Sequence, residues 1–391
     1  MRQWVGERVM PSLPSALREK LLPPENRWSW RDLSATARTR NPKADTRLLI
    51  SPNNYAGQAY YWAQAAGTLP GVDAVNLKRR AGRPGFDFPT HFEVKDNVAE
   101  ASRIWARRQE KRVLSDFTHL LLEGARLPYS GNCRGSVQDY VDFWQQNGLR
   151  VGLIWHGADI RTPSAHGRLE PHSHLGNAFG PYRPEVQEYV EAMHAIADEL
   201  AVPEFVSTPD LLVYRPAAAW LPTIADPEVW RSPTRDPGER PVVLHAPSRP
   251  HVKGSRLIRE VNLALEEDGL VTYKEARGLP SSQMPELVAS ADLVIDQLPT
   301  GAYGVASVEA MLSGKVVVAH VSEGTRSRIL RDTGLELPIV EATPETLSTV
   351  MRDLVGDSRR LMELGAQGLE FARSVHSTEK AAEVLRGFLL D

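Results

Sequence analysis

Between Asp296 and Gly314 the chain reads Asp-Gln-Leu-Pro-Thr-Gly-Ala-Tyr-Gly-Val-Ala-Ser-Val-Glu-Ala-Met-Leu-Ser-Gly: a carboxylate, a turn with two glycines, then a helical stretch carrying Glu309. A helix start presents unpaired N–H groups and the positive end of its macrodipole. The amides around Gly304, Ser307 and Val308 would therefore receive a phosphate without a charged side chain, with Glu309 one turn further in, near a ribose. The same residues would also suit an ordinary tight βα connection with a surface glutamate.

Arg249 and Lys253 lie in a second turn, Ala246-Pro-Ser-Arg-Pro-His-Val-Lys-Gly254, after the apolar run Val242 to His245. Two cations beside a helix N-terminus suit a diphosphate leaving group, whose charge grows as its bond breaks. A solvated basic loop is the plainer use of the pair. Trp155-His156-Gly-Ala-Asp159-Ile-Arg161 puts an imidazole, a carboxylate and a cation at another strand end, where His156 would polarise a sugar hydroxyl or stay satisfied by backbone. His166, His172 and His174 invite a metal reading, but they lack a helical ligand spacing and a partner cysteine or carboxylate pair. The expected metal set is none, and a mobile segment over a cleft is the preferred use of this stretch. Arg103, Arg107 and Lys111 recur at helical spacing, offering either a contact for anionic lipid or a solvated helix face.

Positioning these groups requires strands that feed small-residue turns at helix starts. Arg47 to Ser51, Thr118 to Glu123, Val151 to Trp155, Glu204 to Thr208, Leu211 to Tyr214, Pro241 to His245, Leu270 to Tyr273, Ala291 to Asp296 and Lys315 to Ala319 read as strands. Helices are expected over 59–66, 137–147, 184–200 and 255–268. The alternation predicts an α/β protein with two Rossmann-like, doubly wound domains facing a central cleft. Prolines 222, 227, 233 and 237 mark the linker. The expected domains are 1–222, with 1–46 as a lead-in, 223–372, and a final helix, 373–391.

The 391 residues suit two domains, and a net charge of −3 gives no global pull toward nucleic acid. The single Cys133 fits a reducing compartment as a buried, inert thiol, and no apolar run spans a bilayer. A cytoplasmic location is expected, peripheral to a membrane if the basic helix binds lipid.

Together, Asn53-Asn-Tyr-Ala-Gly57, His156 to Arg161, His245 to Gly254 and Asp296 to Met311 resemble the retaining GT-B glycosyltransferases of the group-1, or family 4, kind, from about Arg47 onward. The resemblance implies a nucleotide-sugar donor, UDP- or GDP-linked, held by the C-terminal domain, and transfer with retention and without a metal or other cofactor. The acceptor would be a small molecule, a glycan or a lipid-linked sugar. It implies that Arg249 and Lys253 bind the diphosphate, Glu309 the ribose, and the amides of Gly304 to Val308 the phosphates and sugar. Gly57 would let backbone approach the donor, and His156 would contact the transferred sugar. The final helix would cross back to the first domain. A glutamate the family often carries seven residues inside its second one falls here on Gly301, leaving Asp296, Gln297 or backbone to hold the sugar. The family's Gly-Phe-Gly stretch appears as Ala302-Tyr303-Gly304, placing Tyr303 at the donor. A nucleotide-sugar 2-epimerase of the same architecture and a non-catalytic nucleotide-sugar-binding subunit are the alternatives.

Overall fold

A computed structural model describes residues 28–80, 87–130, 134–175, 183–232 and 237–390. Cys133, Pro233 and most of the lead-in lie outside the described residues. The strands are β1 (Thr46–Ser51), β2 (Val72–Arg80), β3 (Phe92–Lys95), β4 (His119–Glu123), β5 (Arg150–Trp155), β6 (Glu204–Val206), β7 (Ala219–Trp220), β8 (Val242–His245), β9 (Thr272–Glu275), β10 (Leu293–Ile295), β11 (Val316–Ala319) and β12 (Val340–Glu341). They form a seven-stranded sheet of order β3-β2-β1-β4-β5-β6-β7 and a five-stranded sheet of order β12-β11-β10-β8-β9. β1 pairs in parallel with β2 and β4, and β10 with β8 and β11. Central strands are mostly buried, as in Leu48-Leu49-Ile50 and Val316 to Ala319, which is what helices on both faces of a parallel sheet require.

The chain divides into two compact units. Of the described residues, one contains those from 28 to 153 apart from 87 and 88 and is completed by 388–390; the other contains those from 154 to 387 with 87 and 88. In the first, Phe388 and Leu389 are buried, with the Phe388 ring edge-on to His119 at 5.3 Å and Thr46 Oγ1 donating to the Leu389 carbonyl at 3.2 Å. In the second, the stretch from Leu221 to Ala225, with Pro222, is irregular yet buried, and the Thr223 carbonyl accepts from His376 Nδ1 at 2.8 Å. There too the helix Ser358–Val375 comes so close to the helix Val305–Leu312 that a Cβ on Gly368 would lie 3.2 Å from Met311 Cγ.

Three local expectations need correction. Leu211 to Tyr214 is not a strand but the end of the 3-10 helix Pro209–Val213: Pro209 suits a first helical position, and Val213 points to solvent. The strand expected at Leu270 begins two residues later, because Gly269, at φ +73°, first turns the chain out of the preceding helix. The histidine-bearing segment is not simply a loop, since Pro163–Leu169 is helical and carries His166 inward. No described helix is long and apolar enough to cross a membrane.

Candidate functional site

The site is built in the second unit, at the ends of β8, β10 and β5. His245 closes β8, buried between the Ile295 carbonyl, 2.8 Å from Nδ1, and Ser255 Oγ, 2.7 Å from Nε2. Burial, with a smaller push from Lys253, lowers its pKa to about 4, so it is a neutral staple between two strand ends. Beyond it Arg249 is exposed and precedes the short helix Pro250–Lys253, which Gly254 ends at φ +75°. That left-handed residue lets a second helix, Ser255–Glu267, start at once, and the break points Lys253 toward the end of β10.

Asp296, at that strand end, is buried. Its carboxylate takes a close ion pair from Lys253 Nζ, a hydrogen bond from Ser307 Oγ at 2.6 Å and a long one from the Gly304 N–H at 3.4 Å. Burial works against the charge, but Lys253 and these donors outweigh it and hold the carboxyl below its ordinary range. Glu309, on the helix Val305–Leu312, has the opposite fate. Burial pushes its carboxyl up to about 8, with Lys253 opposing and Asp296 reinforcing the shift. Of the helix-start amides, Ser307 and Val308 already bond the Gly304 carbonyl at 3.0 and 3.3 Å. Val305 and Ala306, the first two helical residues, have no acceptor within the helix.

Beside this array lies a cavity of about 500 Å³, walled by His156, Arg161, His174, Arg183, Thr208, Arg249, His251, Gln297, Thr300, Ala302, Tyr303 and Gly304 among others, none of them acidic. Lys253 and Glu309 are not on its wall. His156 is held by its turn: Asp159 accepts from the His156 and Gly157 N–H groups, each at 2.9 Å. Arg161 is anchored by Asp210 at 2.5 Å. Thus Asp159 and Asp210 fix the strand end, and His156 and Arg161 are the residues with polar side chains that it brings to the cavity wall. Tyr303 reaches the wall, but its hydroxyl is engaged by His376 Nε2 at 3.0 Å. Gly57 belongs to the first unit, where it precedes the helix Gln58–Ala66 at φ +76° in a loop that also holds Asn54 and Ala56 left-handed. The Glu123 carboxylate grips that loop through the Asn53 and Asn54 amides, at 2.6 and 3.0 Å.

Sequence reasoning missed Arg183, His251 and Thr300, and gave His174 no part in a binding wall. His251 was within the motif that flagged Arg249 and Lys253, and Thr300 within the one that flagged Asp296 and Glu309; Arg183 and His174 lie on connections whose course no local pattern reveals. Burial, helped by Arg161, His166, His251 and Arg249, lowers His174 to about 3, so it is a neutral imidazole in a cationic setting. His166 is spent on Ser173 Oγ at 2.6 Å and the Thr300 carbonyl at 3.1 Å, which links the helix Pro163–Leu169 to the turn that carries Thr300. Among the described residues no three His, Cys, Asp or Glu side chains converge as metal ligands.

No family model matches the sequence, and no curated protein matches it. Solved structures do. Sucrose-phosphate synthase from Thermosynechococcus elongatus superposes with a TM-score of 0.53 at 12% identity, covering 88% of this chain and 98% of that one. Anabaena HepE, in complex with UDP-glucose, gives 0.51 at 12% identity, covering 88% and 98%. S. aureus TarM gives 0.48 at 14% identity, and there this chain spans 55% of the other's length and 70% of its own. Two parallel sheets of seven and five strands, with the likeness to sucrose-phosphate synthase and HepE, give this chain the GT-B glycosyltransferase fold.

Proposed function

We propose that the protein is a nucleotide-sugar-dependent glycosyltransferase whose donor binds at the helix start beside Lys253, Asp296 and Glu309. The observation that carries this reading is the array itself: a helix N-terminus, an ammonium locked on a buried carboxylate, and one turn in a partly buried glutamate whose carboxyl is pushed up by its surroundings, beside a cavity with no acidic wall. Arg249, Lys253 and the first helical amides complement a diphosphate. Glu309 can both donate to and accept from ribose hydroxyls, as a diol requires. HepE, of the same fold, is known in complex with UDP-glucose, which favours uridine as the base.

In the transfer, the bond between the sugar's anomeric carbon and the leaving phosphate oxygen breaks. A bond to the acceptor oxygen forms on the same face, and the acceptor's hydroxyl proton passes to the leaving phosphate. The protein would contribute position and a cationic field, with His156 facing the sugar and no metal needed for the step. Gly57 would offer backbone to the donor from the first unit. We further propose that the acceptor is a sugar or a lipid-linked glycan, and that Arg103, Arg107 and Lys111 hold the protein to an anionic membrane surface.

Thermal-shift titration with UDP, GDP, ADP and TDP, without metal, tests the donor site. Stabilisation by one nucleotide is expected, falling by more than half in Lys253→Ala relative to that variant's own unliganded midpoint. Equal shifts in wild type and variant would sink the assignment of Lys253. Nucleotide binding without transfer to any acceptor would instead favour a non-catalytic subunit, and interconversion of the free nucleotide-sugar an epimerase.

A further inference from the structure

The Gln297–Gly304 turn, which walls the cavity, is gripped from behind. Gly301 is left-handed at φ +66°, and a Cβ placed on it would stand 2.6 Å from Glu170 Oε2 and closer still to Oε1. The volume that a side chain at 301 would fill is therefore occupied by the carboxylate of Glu170, which follows the helix Pro163–Leu169 and is buried. Only glycine allows both the backbone conformation and this approach.

Glu170 is fixed in turn by His320, just after β11, whose Nε2 donates to Glu170 Oε2 at 2.8 Å while Nδ1 donates to Glu341 Oε1 at 2.5 Å. Glu341, on β12, also accepts from the Val321 N–H and from Arg326 Nη2, each at 2.9 Å. The backbone around the imidazole bonds the turn directly: the His320 N–H donates to the Gln297 carbonyl and the Ser322 N–H to the Gly301 carbonyl, both at 2.9 Å. From the other side His166 holds the Thr300 carbonyl. The groups facing His320 are thus Glu170 and Glu341, with Arg326 beyond Glu341 and the neutral His166 one turn before Glu170.

We propose that Glu170 is a positioning residue for the cavity: with His320 and Glu341 it forms a carboxylate–imidazole–carboxylate clasp that holds the Gln297–Gly304 turn in its binding shape. That the bound molecule is a nucleotide rests on the function proposed above; the clasp does not. Burial disfavours the His320 charge, but the two carboxylates outweigh it and raise the imidazole to about 9. A released clasp would return it to its ordinary value near 6.5. The clasp is therefore at full strength below about pH 6.5 and weakens as pH rises through 9.

The test uses the full chain with 13Cε1-labelled histidine, His320 being assigned by His320→Gln, and hydrogen exchange at residues 297–304 and 320–322. In wild type a histidine should titrate near pH 9. In Glu170→Gln that midpoint should fall by at least one pH unit, and exchange of the His320 and Ser322 amides should rise at least tenfold, with Glu170→Asp recovering part of both. Gly301→Ala should be much less harmful to thermal stability in a Glu170→Ala background than in wild type. Unchanged titration and exchange in Glu170→Gln would overturn the clasp. Should both change while the UDP dissociation constant stays the same at pH 7 and pH 9, the positioning role is refuted. Failure of wild type to bind any nucleotide counts against the donor reading alone, because titration and exchange judge the clasp without ligand.

Discussion

Asp296 and Glu309 are two carboxyl groups at one helix start, driven in opposite directions by their surroundings: Asp296 is kept ionised by Lys253 and Ser307, while Glu309 is pushed up to about 8 chiefly by burial. The cost of that second environment is measurable. Unfolded, Glu309 loses its proton near its ordinary pKa, whereas folded it keeps the proton until about pH 8. Stability referable to this group is therefore full below about pH 4.5 and lost as pH rises through 8. Glu309→Gln removes the titration, so its urea-unfolding free energy relative to wild type should grow more favourable from pH 5 to pH 8 and then level off. Because glutamine keeps both a donor and an acceptor, this variant should bind UDP close to wild type, whereas Glu309→Ala, which keeps neither, should weaken UDP binding about tenfold or more. A stability difference that stays flat with pH would show that Glu309 titrates normally. Lys253 is the harsher position, since removing it leaves a buried charge unpaired, typically at about 3–5 kcal/mol. The types and order of these residues were legible in the sequence because each follows an apolar run that must be a strand. The Tyr303 hydroxyl was not, since its partner His376 comes from far downstream.

At the scale of elements, the strands and the two turns that carry Lys253 and Glu309 could be read because buried parallel strands leave long apolar runs and glycines mark their ends. The connection from Pro163 to Leu175 could not, because its fold is decided by tertiary partners: Ser173 and Thr300 for His166, His320 for Glu170. Gly301 looked like a lost acid; it is a glycine that makes room for one. The helix Arg103–Asp116 shows the two sides of an amphipathic reading. Trp105 is buried and its indole N–H donates to the Ala35 carbonyl at 2.9 Å, so the aromatic residue near the cations faces inward. Arg107, Lys111 and Arg112 are exposed, and Arg108 stacks over Trp30 at 4.2 Å, leaving that indole 69% exposed beside them. A basic residue near an anionic surface contributes about 1 kcal/mol. Reversing two of them, as Arg107→Glu with Lys111→Glu, should therefore cut co-sedimentation with phosphatidylserine vesicles by tenfold or more in 0.1 M salt. Binding that is equal on neutral vesicles, or indifferent to the reversal, would leave this helix as a solvated face.

Across the whole molecule, the chain leaves the seven-stranded sheet after Trp220 and enters the five-stranded one at Val242, so Pro222, Pro227 and Pro237 fall between the two sheets. A linker by composition is not an exposed one, since residues 221–225 are buried. Composition reports backbone regularity, and prolines break helices and strands whether or not the segment is packed. The end of the chain makes the complementary point. The helix Thr378–Leu390 lies in the second unit for most of its length, while Phe388 and Leu389 join the buried residues of the first. Its amphipathic pattern told only that one face is buried, and could not tell against what. Truncating a fully buried phenylalanine typically costs about 3–5 kcal/mol, and at Phe388 that loss falls on a surface shared with His119 of β4 and next to Thr46 of β1. Phe388→Ala should therefore speed amide exchange in β1 and β4 while leaving β8, β10 and the UDP-induced thermal shift close to wild type. If exchange instead accelerates in β8 and β10 as well, the two units unfold as one cooperative body, and the end of the chain is the tie that makes them so.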